Sequence, residues 1–128
     1  MKTKFDISDV INASPETIYN AWLDSELHSA MTGGIAFCSK EKNNVFTAWD
    51  GYITGKNLDL VSNELIIQAW RTFEFDDTDE DSFLQIKFTA VDEETEIKIS
   101  HSNIPNGNAD YKSGWVEHYF NPMKTFFK

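Results

Sequence analysis

Three histidines and one cysteine are the side chains of this 128-residue chain best suited to acid–base or nucleophilic chemistry. Cys38 has no second cysteine and no CxxC neighbour, so we expect it to be a small buried or half-buried apolar residue. His28 and His118 do not have the mutual spacing of a metal-binding motif. The sequence also lacks GxSxG, HExxH and glycine-rich phosphate-binding motifs. We therefore expect no metal site and no cofactor, and the catalytic residues, if any, stay unknown.

His101 is the histidine with the most suggestive position. It follows Ile97 and Ile99 on the inward face of a predicted strand, close to the break at 103–105. A histidine there is usually a residue of the core or its rim whose ring nitrogens are hydrogen-bonded to neighbours. The functional alternative is an acid–base or ligand-orienting group at the mouth of a pocket, because the imidazole titrates near neutral pH.

The C-terminal segment carries a stripe of large apolar side chains about four residues apart, as on one face of a helix. The stripe consists of Tyr111, Trp115, Tyr119, Met123 and Phe126 or Phe127. Gly114 costs about 1 kcal/mol in a helix relative to alanine, unless it permits a close backbone approach. Pro122 removes the N–H that would bond the carbonyl of His118, which predicts a kink. The stripe therefore either packs as core or borders a pocket opened by the kink.

The acidic run from Glu74 to Asp81 invites comparison with a calcium-binding loop. Asp77, Asp79 and Asp81 match the first three odd-numbered ligand positions of an EF-hand. Ser82 then takes the place of the required glycine and Phe88 the place of the final glutamate, so the match fails. We interpret the run as a solvated turn between two strands.

Composition narrows the possible partners and the location. The formal net charge of −10 disfavours binding to nucleic acid and to an anionic membrane surface. No apolar run approaches the length of a membrane span or a signal peptide, which predicts a cytoplasmic protein without membrane insertion. The length predicts one domain over residues 1–128.

The elements that must position these residues follow from the periodicity of the chain. A first strand in KFDISDVI precedes a helix capped by Ser14 with Pro15 at its first position, and SELHSAM forms a second short helix ending at Gly33. Alternating segments after the Asp50–Gly51 turn predict a meander of antiparallel strands. A long helix starting near Asn108 or Asp110 closes the chain. The order predicts an α+β domain with about six strands.

Trp70 and Arg71 end the strongest predicted strand and must point to opposite faces of the sheet. If Arg71 faces inward, it is a buried cation that needs a carboxylate or an anionic ligand. If it faces outward, Trp70 lines the interior. The sequence alone does not choose between these orientations.

Three stretches resemble the family called activator of heat-shock-protein-90 ATPase homologue 1-like. They are ASPETIYNAWLDSELHSAMTGG, DGYITGKNLDLVSNELIIQAWR and GWVEHYFNPMKTFF, and the likeness runs from about Asp6 to Phe127. The resemblance implies the helix-grip fold of the START-like, polyketide-cyclase-like superfamily, also called Bet v-like. In that fold a bent antiparallel sheet grips the C-terminal helix over a cavity.

The resemblance also implies several functions. Cavities in the superfamily bind lipids, hormones or polyketides, and some members catalyse cyclisation or hydrolysis. The co-chaperone that names the family binds heat-shock protein 90 (Hsp90), stimulates its ATPase in the stress response and has an additional N-terminal domain, for which we expect no counterpart in this chain. No family-wide catalytic set can be carried over to positions of this sequence.

We therefore predict a START-like protein that binds a small apolar or amphipathic molecule between the sheet and the final helix. The alternatives are a co-chaperone-like module with an Hsp90 homologue as partner, a cyclase- or hydrolase-type enzyme using His101 with a carboxylate, and an interior that is simply filled. Periodicity and the implied fold predict a cavity lined by Trp22, Met31, Phe46, Trp49, Trp70, Phe88, His101, Trp115, Tyr119 and Met123.

Overall fold

A computed structural model describes residues 2–107 and 110–127. Its centre is a curved, six-stranded antiparallel sheet with the strand order β1-β6-β5-β4-β3-β2. The strands are β1 (Lys2–Ile11), β2 (Val45–Ala48), β3 (Ile53–Val61), β4 (Leu65–Thr72), β5 (Ser82–Val91) and β6 (Glu94–Pro105). The predicted α+β class and the meander of hairpins are confirmed. β1 joins the far edge of the sheet by pairing with β6.

Two short helices follow β1, as the capping residues predict. Helix α1 (Pro15–Leu23) begins after Ser14, whose hydroxyl accepts a hydrogen bond from the N–H of Thr17 at 3.2 Å. Helix α2 (Ser25–Thr32) begins after Asp24 and ends at Gly33, whose φ of 90° is the left-handed conformation that glycine adopts without strain.

The C-terminal helix closes the sheet in three consecutive pieces. Helix α3 (Tyr111–Trp115) begins after Asp110, continues through a π-helical turn (Val116–Phe120) and passes into α4 (Asn121–Phe126). Of the two predicted starting points, Asn108 lies outside the described residues. Where a kink was predicted at Pro122, the structure has this wide turn, in which the N–H of Asn121 bonds the carbonyl of Val116. The wider spacing accommodates a proline that has no N–H to donate.

The orientation of β4 settles which of its side chains face inward. Alternate residues Ile66, Gln68, Trp70 and Thr72 are buried. Arg71 lies on the opposite face, where Nη1 is 2.8 Å from Oδ1 of Asp81. The guanidinium also donates to backbone carbonyls of the acidic run at 76–81, which forms the turn between β4 and β5. Trp70 is therefore the interior residue.

The core lies between the concave face of the sheet and the helices. Its centre is a layer of fully buried isoleucines on β4, β5 and β6, namely Ile66, Ile86, Ile97 and Ile99. In the described part of the chain, no helix is long and apolar enough to cross a membrane.

Candidate functional site

An open groove of about 470 Å³ lies between the first half of the C-terminal helix and the start of β3. We call it the aromatic groove, because its lining includes Trp49, Tyr52, Trp70, Tyr111, Trp115 and Tyr119. The polar side chains of its lining include Asp110, Glu117 and His118. The groove is thus an apolar surface with a few polar groups, which is the usual composition of a small-molecule site.

The structure divides the ten predicted cavity residues into two sets. Trp49, Trp70, Trp115 and Tyr119 line the aromatic groove. The other six do not line it and pack in the core: Trp22, Met31, Phe46, Phe88, His101 and Met123. Trp70, Trp115 and Tyr119 are themselves at most 4% exposed, so they belong to the core and border the groove.

Aromatic rings fill the space beneath the C-terminal helix. Trp22 of α1 stacks on Tyr119 with ring centroids 5.0 Å apart and on Trp115 at 6.3 Å. Trp70 meets His101 edge-on at 4.6 Å. The aromatic groove is consequently the solvent-facing side of this stack. A ligand would contact the outer rings of the cluster.

His101 belongs to a hydrogen-bonded chain inside this core. The indole N–H of Trp115 is 3.1 Å from Nδ1 of His101, and an indole nitrogen only donates. Nδ1 must therefore accept, so Nε2 carries the proton and donates to the hydroxyl of Ser82 at 2.8 Å. Ser82 in turn donates to the carbonyl of Trp70 at 2.6 Å. Both ring nitrogens are occupied by neighbours.

The protonation of His101 follows from its burial. Only 1% of the residue is exposed, and this burial lowers the pKa of the imidazole to about 3. The ring is therefore neutral at physiological pH. A buried neutral imidazole with both nitrogens bonded positions Trp115 and has no free atom for acid–base catalysis.

A second buried histidine holds Tyr119 against the groove. Nδ1 of His28 is 2.7 Å from the carbonyl oxygen of Trp22, so Nδ1 donates and Nε2 accepts from the Tyr119 hydroxyl at 2.9 Å. Burial lowers the pKa of His28 and raises that of Tyr119.

The half-buried Cys38 is also near His28, with its sulfur 3.5 Å from Nδ1. That nitrogen already gives its proton to a backbone carbonyl and has no lone pair with which to take the thiol proton. Burial, reinforced by the charge of Asp24, raises the pKa of the thiol to about 12. Cys38 and His28 therefore do not form a nucleophile–base pair.

A carboxylate joins two tyrosines of the groove. The hydroxyls of Tyr52 and Tyr111 both donate to Oε1 of Glu74. Tyr111 is also 2.6 Å from the hydroxyl of Thr72. Burial and the hydrogen bond to Glu74 raise the pKa of Tyr52. These bonds fix the two phenol rings in one orientation.

Trp49 has the most strained setting in the groove. It lies between β2 and the predicted Asp50–Gly51 turn and has a φ of 50°, which residues with a side chain rarely adopt. Its buried Nε1 has no hydrogen-bond partner among the described residues. Gly34 makes room for it, since a Cβ there would stand 2.5 Å from the indole ring.

Several residues of the groove were missed by sequence reasoning. Tyr52 follows the predicted turn, but nothing in its local pattern indicated a pocket. Glu117 and His118 point in different directions on the helix, yet both line the groove, because the groove borders a wide part of the helix circumference. Gly114 also differs from expectation. A Cβ there would meet nothing within 4 Å, so the glycine borders open space and permits no close backbone approach.

Residues 12–128 match the family described as Activator of Hsp90 ATPase homolog 1-like protein. The chain belongs to this family. It is 29% identical over 127 residues to the human activator of 90 kDa heat shock protein ATPase homolog 1, a match that spans 97% of this chain and 37% of the human protein. The chain thus spans little more than a third of the length of these curated relatives, which include the activator of 90 kDa heat shock protein ATPase homolog 2 from mouse at 36%.

Solved structures of other proteins show the same fold. An HSP90 activator from Plasmodium falciparum superposes with a TM-score of 0.85 at 22% identity, over 96% of this chain and 94% of that one. The Aha1 dimer from Colwellia psychrerythraea gives 0.76 at 14% identity, over 97% and 92%. The helix-grip fold implied by the sequence is confirmed.

Proposed function

We propose that the aromatic groove binds a small amphipathic molecule with an apolar body. The observation that carries this proposal is an open, preformed groove of about 470 Å³ walled by six aromatic side chains. Ligand sites typically measure about 300–1,000 Å³ and combine apolar walls with few polar groups. Tryptophan and tyrosine offer large apolar faces together with polar tips that orient a ligand.

The groove also contains features that cost stability and that a purely structural surface would not need. A non-glycine residue with positive φ costs about 1–3 kcal/mol, and a buried donor without a partner costs about the same. Trp49 combines both. Such costs concentrate at functional sites, where they hold a side chain in a required position.

Gly114 supports the proposal independently. Glycine within a helix costs about 1 kcal/mol relative to alanine. Here the missing Cβ would project into open space beside the groove lining instead of into a neighbour. Local packing therefore leaves room for at least a methyl group. The glycine leaves the groove wide, which favours access of a ligand.

The test is a fluorescence titration with the neutral apolar probe N-phenyl-1-naphthylamine. A Cβ at Gly114 would meet no neighbour within 4 Å, so we expect Gly114→Leu to fold normally, to occupy part of the groove and to lose at least about tenfold in affinity, the effect of a displaced apolar contact. Thr125→Leu adds the same side chain at an exposed helical position outside the groove and should bind like the unmodified protein. Equal binding by both variants, or no saturable binding to any of them, would contradict the proposal.

A second candidate function is interaction with an Hsp90 homologue, and family membership favours it. The human relative is named as an activator of the 90 kDa heat shock protein ATPase. The solved HSP90 activator from Plasmodium falciparum is matched over 94% of its chain and 96% of this one, so the two chains have a similar extent. The test is the ATPase rate of a purified Hsp90 homologue with and without this chain. An unchanged rate together with no complex by calorimetry would remove this candidate.

A further inference from the structure

We infer that the aromatic groove selects an organic cation, specifically an alkylated ammonium group attached to the apolar body. This inference rests on the proposed function and names the chemistry of its ligand. It follows from the coincidence of aromatic faces and carboxylates around one open groove. The three following observations carry it.

The first observation is the aromatic wall itself. Trp49, Tyr52, Trp70, Tyr111 and Trp115 all line the groove. The face of an aromatic ring carries partial negative charge and attracts a cation within about 6 Å of the centroid, tryptophan most strongly. Cages built from several aromatic rings are a known way to bind quaternary ammonium groups, and the five rings that line this groove supply the residue types for one.

The second observation is the sign of the charged residues in the lining. Asp110 and Glu117 are its carboxylates, and the described lining residues include neither lysine nor arginine. Asp110 is fixed in place because its oxygens accept from the backbone N–H of Ser113 at 3.2 Å and from its hydroxyl at 2.9 Å. The net charge of −10 adds a field of the same sign. An anionic ligand would meet repulsion here, and a cation would meet attraction.

The third observation is the carboxylate behind the tyrosines. Glu74 accepts hydrogen bonds from the hydroxyls of both Tyr52 and Tyr111. A phenol that donates to a negative acceptor is polarised toward a more electron-rich ring, because hydrogen bonds in a chain strengthen one another. Electron-rich rings bind cations more strongly. Glu74 thus favours a cation without needing to contact it.

A neutral or anionic ligand would leave this arrangement unused. A neutral apolar molecule would gain the burial but not the attraction to the ring faces. The carboxylates would then line an apolar site to no benefit. The groove is therefore better matched to a cationic amphipath than to a fatty acid or a neutral hydrocarbon.

The experiment compares three soluble probes of the same shape and different charge. Choline, 3,3-dimethylbutan-1-ol and 2-hydroxyethanesulfonate share a hydroxyethyl arm with a cationic, neutral or anionic tetrahedral head. Each is titrated into the ¹⁵N-labelled protein at low ionic strength, and amide shifts on the groove residues report both affinity and location. We expect choline to bind about tenfold more tightly than the alcohol, and the sulfonate to bind most weakly.

Matched variants separate groove charge from total charge. Asp110→Asn keeps an acceptor that can cap the helix, and Glu117→Gln keeps the size of the side chain. The double variant should lose about fivefold in choline affinity and leave the alcohol unchanged. Asp92→Asn with Glu93→Gln removes the same charge from an exposed turn outside the groove, and its choline affinity should stay within about twofold.

The outcomes distinguish the ligand class from the groove itself. If the alcohol binds as tightly as choline, or if both double variants lose equal affinity, the cation inference is overturned while binding of the neutral naphthylamine probe still supports a ligand site. If none of the three probes shifts a groove amide, the inference also fails. If Gly114→Leu leaves naphthylamine binding unchanged, the site itself is excluded.

Discussion

Replacing Trp115 with alanine should destabilise the protein by about 3–5 kcal/mol. Its side chain is 3% exposed and lies in ring contact with Trp22, Trp70 and Tyr119. Removing a large aromatic residue from a packed core costs about that much, since the cavity closes only partly. The variant also removes the donor to His101 Nδ1, which contributes about 1 kcal/mol. The total is a large share of the roughly 5–15 kcal/mol that stabilises a domain.

Two further variants apportion this loss. Trp115→Phe keeps a ring in the stack but loses the N–H, so we expect a cost of about 1–2 kcal/mol. Trp49→Ala truncates a half-buried tryptophan of the groove that donates no hydrogen bond among the described residues, so it should cost about 1 kcal/mol or less.

The assay is urea denaturation followed by far-ultraviolet circular dichroism, which does not depend on the tryptophan being replaced. If the slope of the unfolding free energy against urea concentration is unchanged, the variants unfold from the same compact state. The placement of Trp115 in the core would be refuted if Trp115→Ala lowered the free energy of unfolding by less than about 1.5 kcal/mol. It would also be refuted if Trp49→Ala lowered it by more than Trp115→Ala does. Either result would instead indicate that Trp115 is mainly a wall of the groove.

Three other perturbations have expected outcomes. Burial lowers the pKa of His101 to about 3, so the unfolded chain binds more protons than the native protein below pH 6.5. At pH 5 this difference should lower the free energy of unfolding by about 2 kcal/mol. His101→Phe should therefore make the fall of melting temperature between pH 7 and 4 less steep. The pKa of Cys38, near 12, predicts alkylation by iodoacetamide at pH 8 at least about 100-fold slower in the native protein than in urea, and equal rates would contradict it. Gly55→Ala would force a Cβ onto the carbonyl of Ala69 and to 2.6 Å from the ring of Phe46, so we expect a loss of at least about 2 kcal/mol by calorimetry.

The helix ends and the strand faces were predictable because they depend on local chemistry. Ser14 and Gly33 mark helix boundaries through side-chain capping and the left-handed conformation. Alternation in β5 and β6 predicts which residues are buried, since side chains of a strand alternate between faces. Pro122 was predicted to kink the helix, and the π-helical turn that precedes it was not predicted, because the form of a distortion depends on what the helix packs against.

The lining of the groove was less accessible to sequence reasoning. Periodicity marks a residue as inward-facing but does not say whether the inward side is packed or open. His101 and Trp22 share the pattern of Trp70, yet only Trp70 reaches the groove. Tyr52 lines the groove only because β3 is brought opposite the C-terminal helix. Whether the ten predicted residues bind a ligand stays a prediction.

The sequence by itself determined the order of elements, the antiparallel sheet and the family, since these follow from residue spacing and from matches along the chain. Only the tertiary structure decided that Trp70 faces inward, that Arg71 pairs with Asp81, and that the space beneath the helix is filled with rings. It also decided the tautomer of His101, because that depends on a donor and an acceptor on separate elements. Local propensities act over a few residues, whereas a groove is formed by side chains that are distant in sequence and meet only after the sheet has curved around the helix.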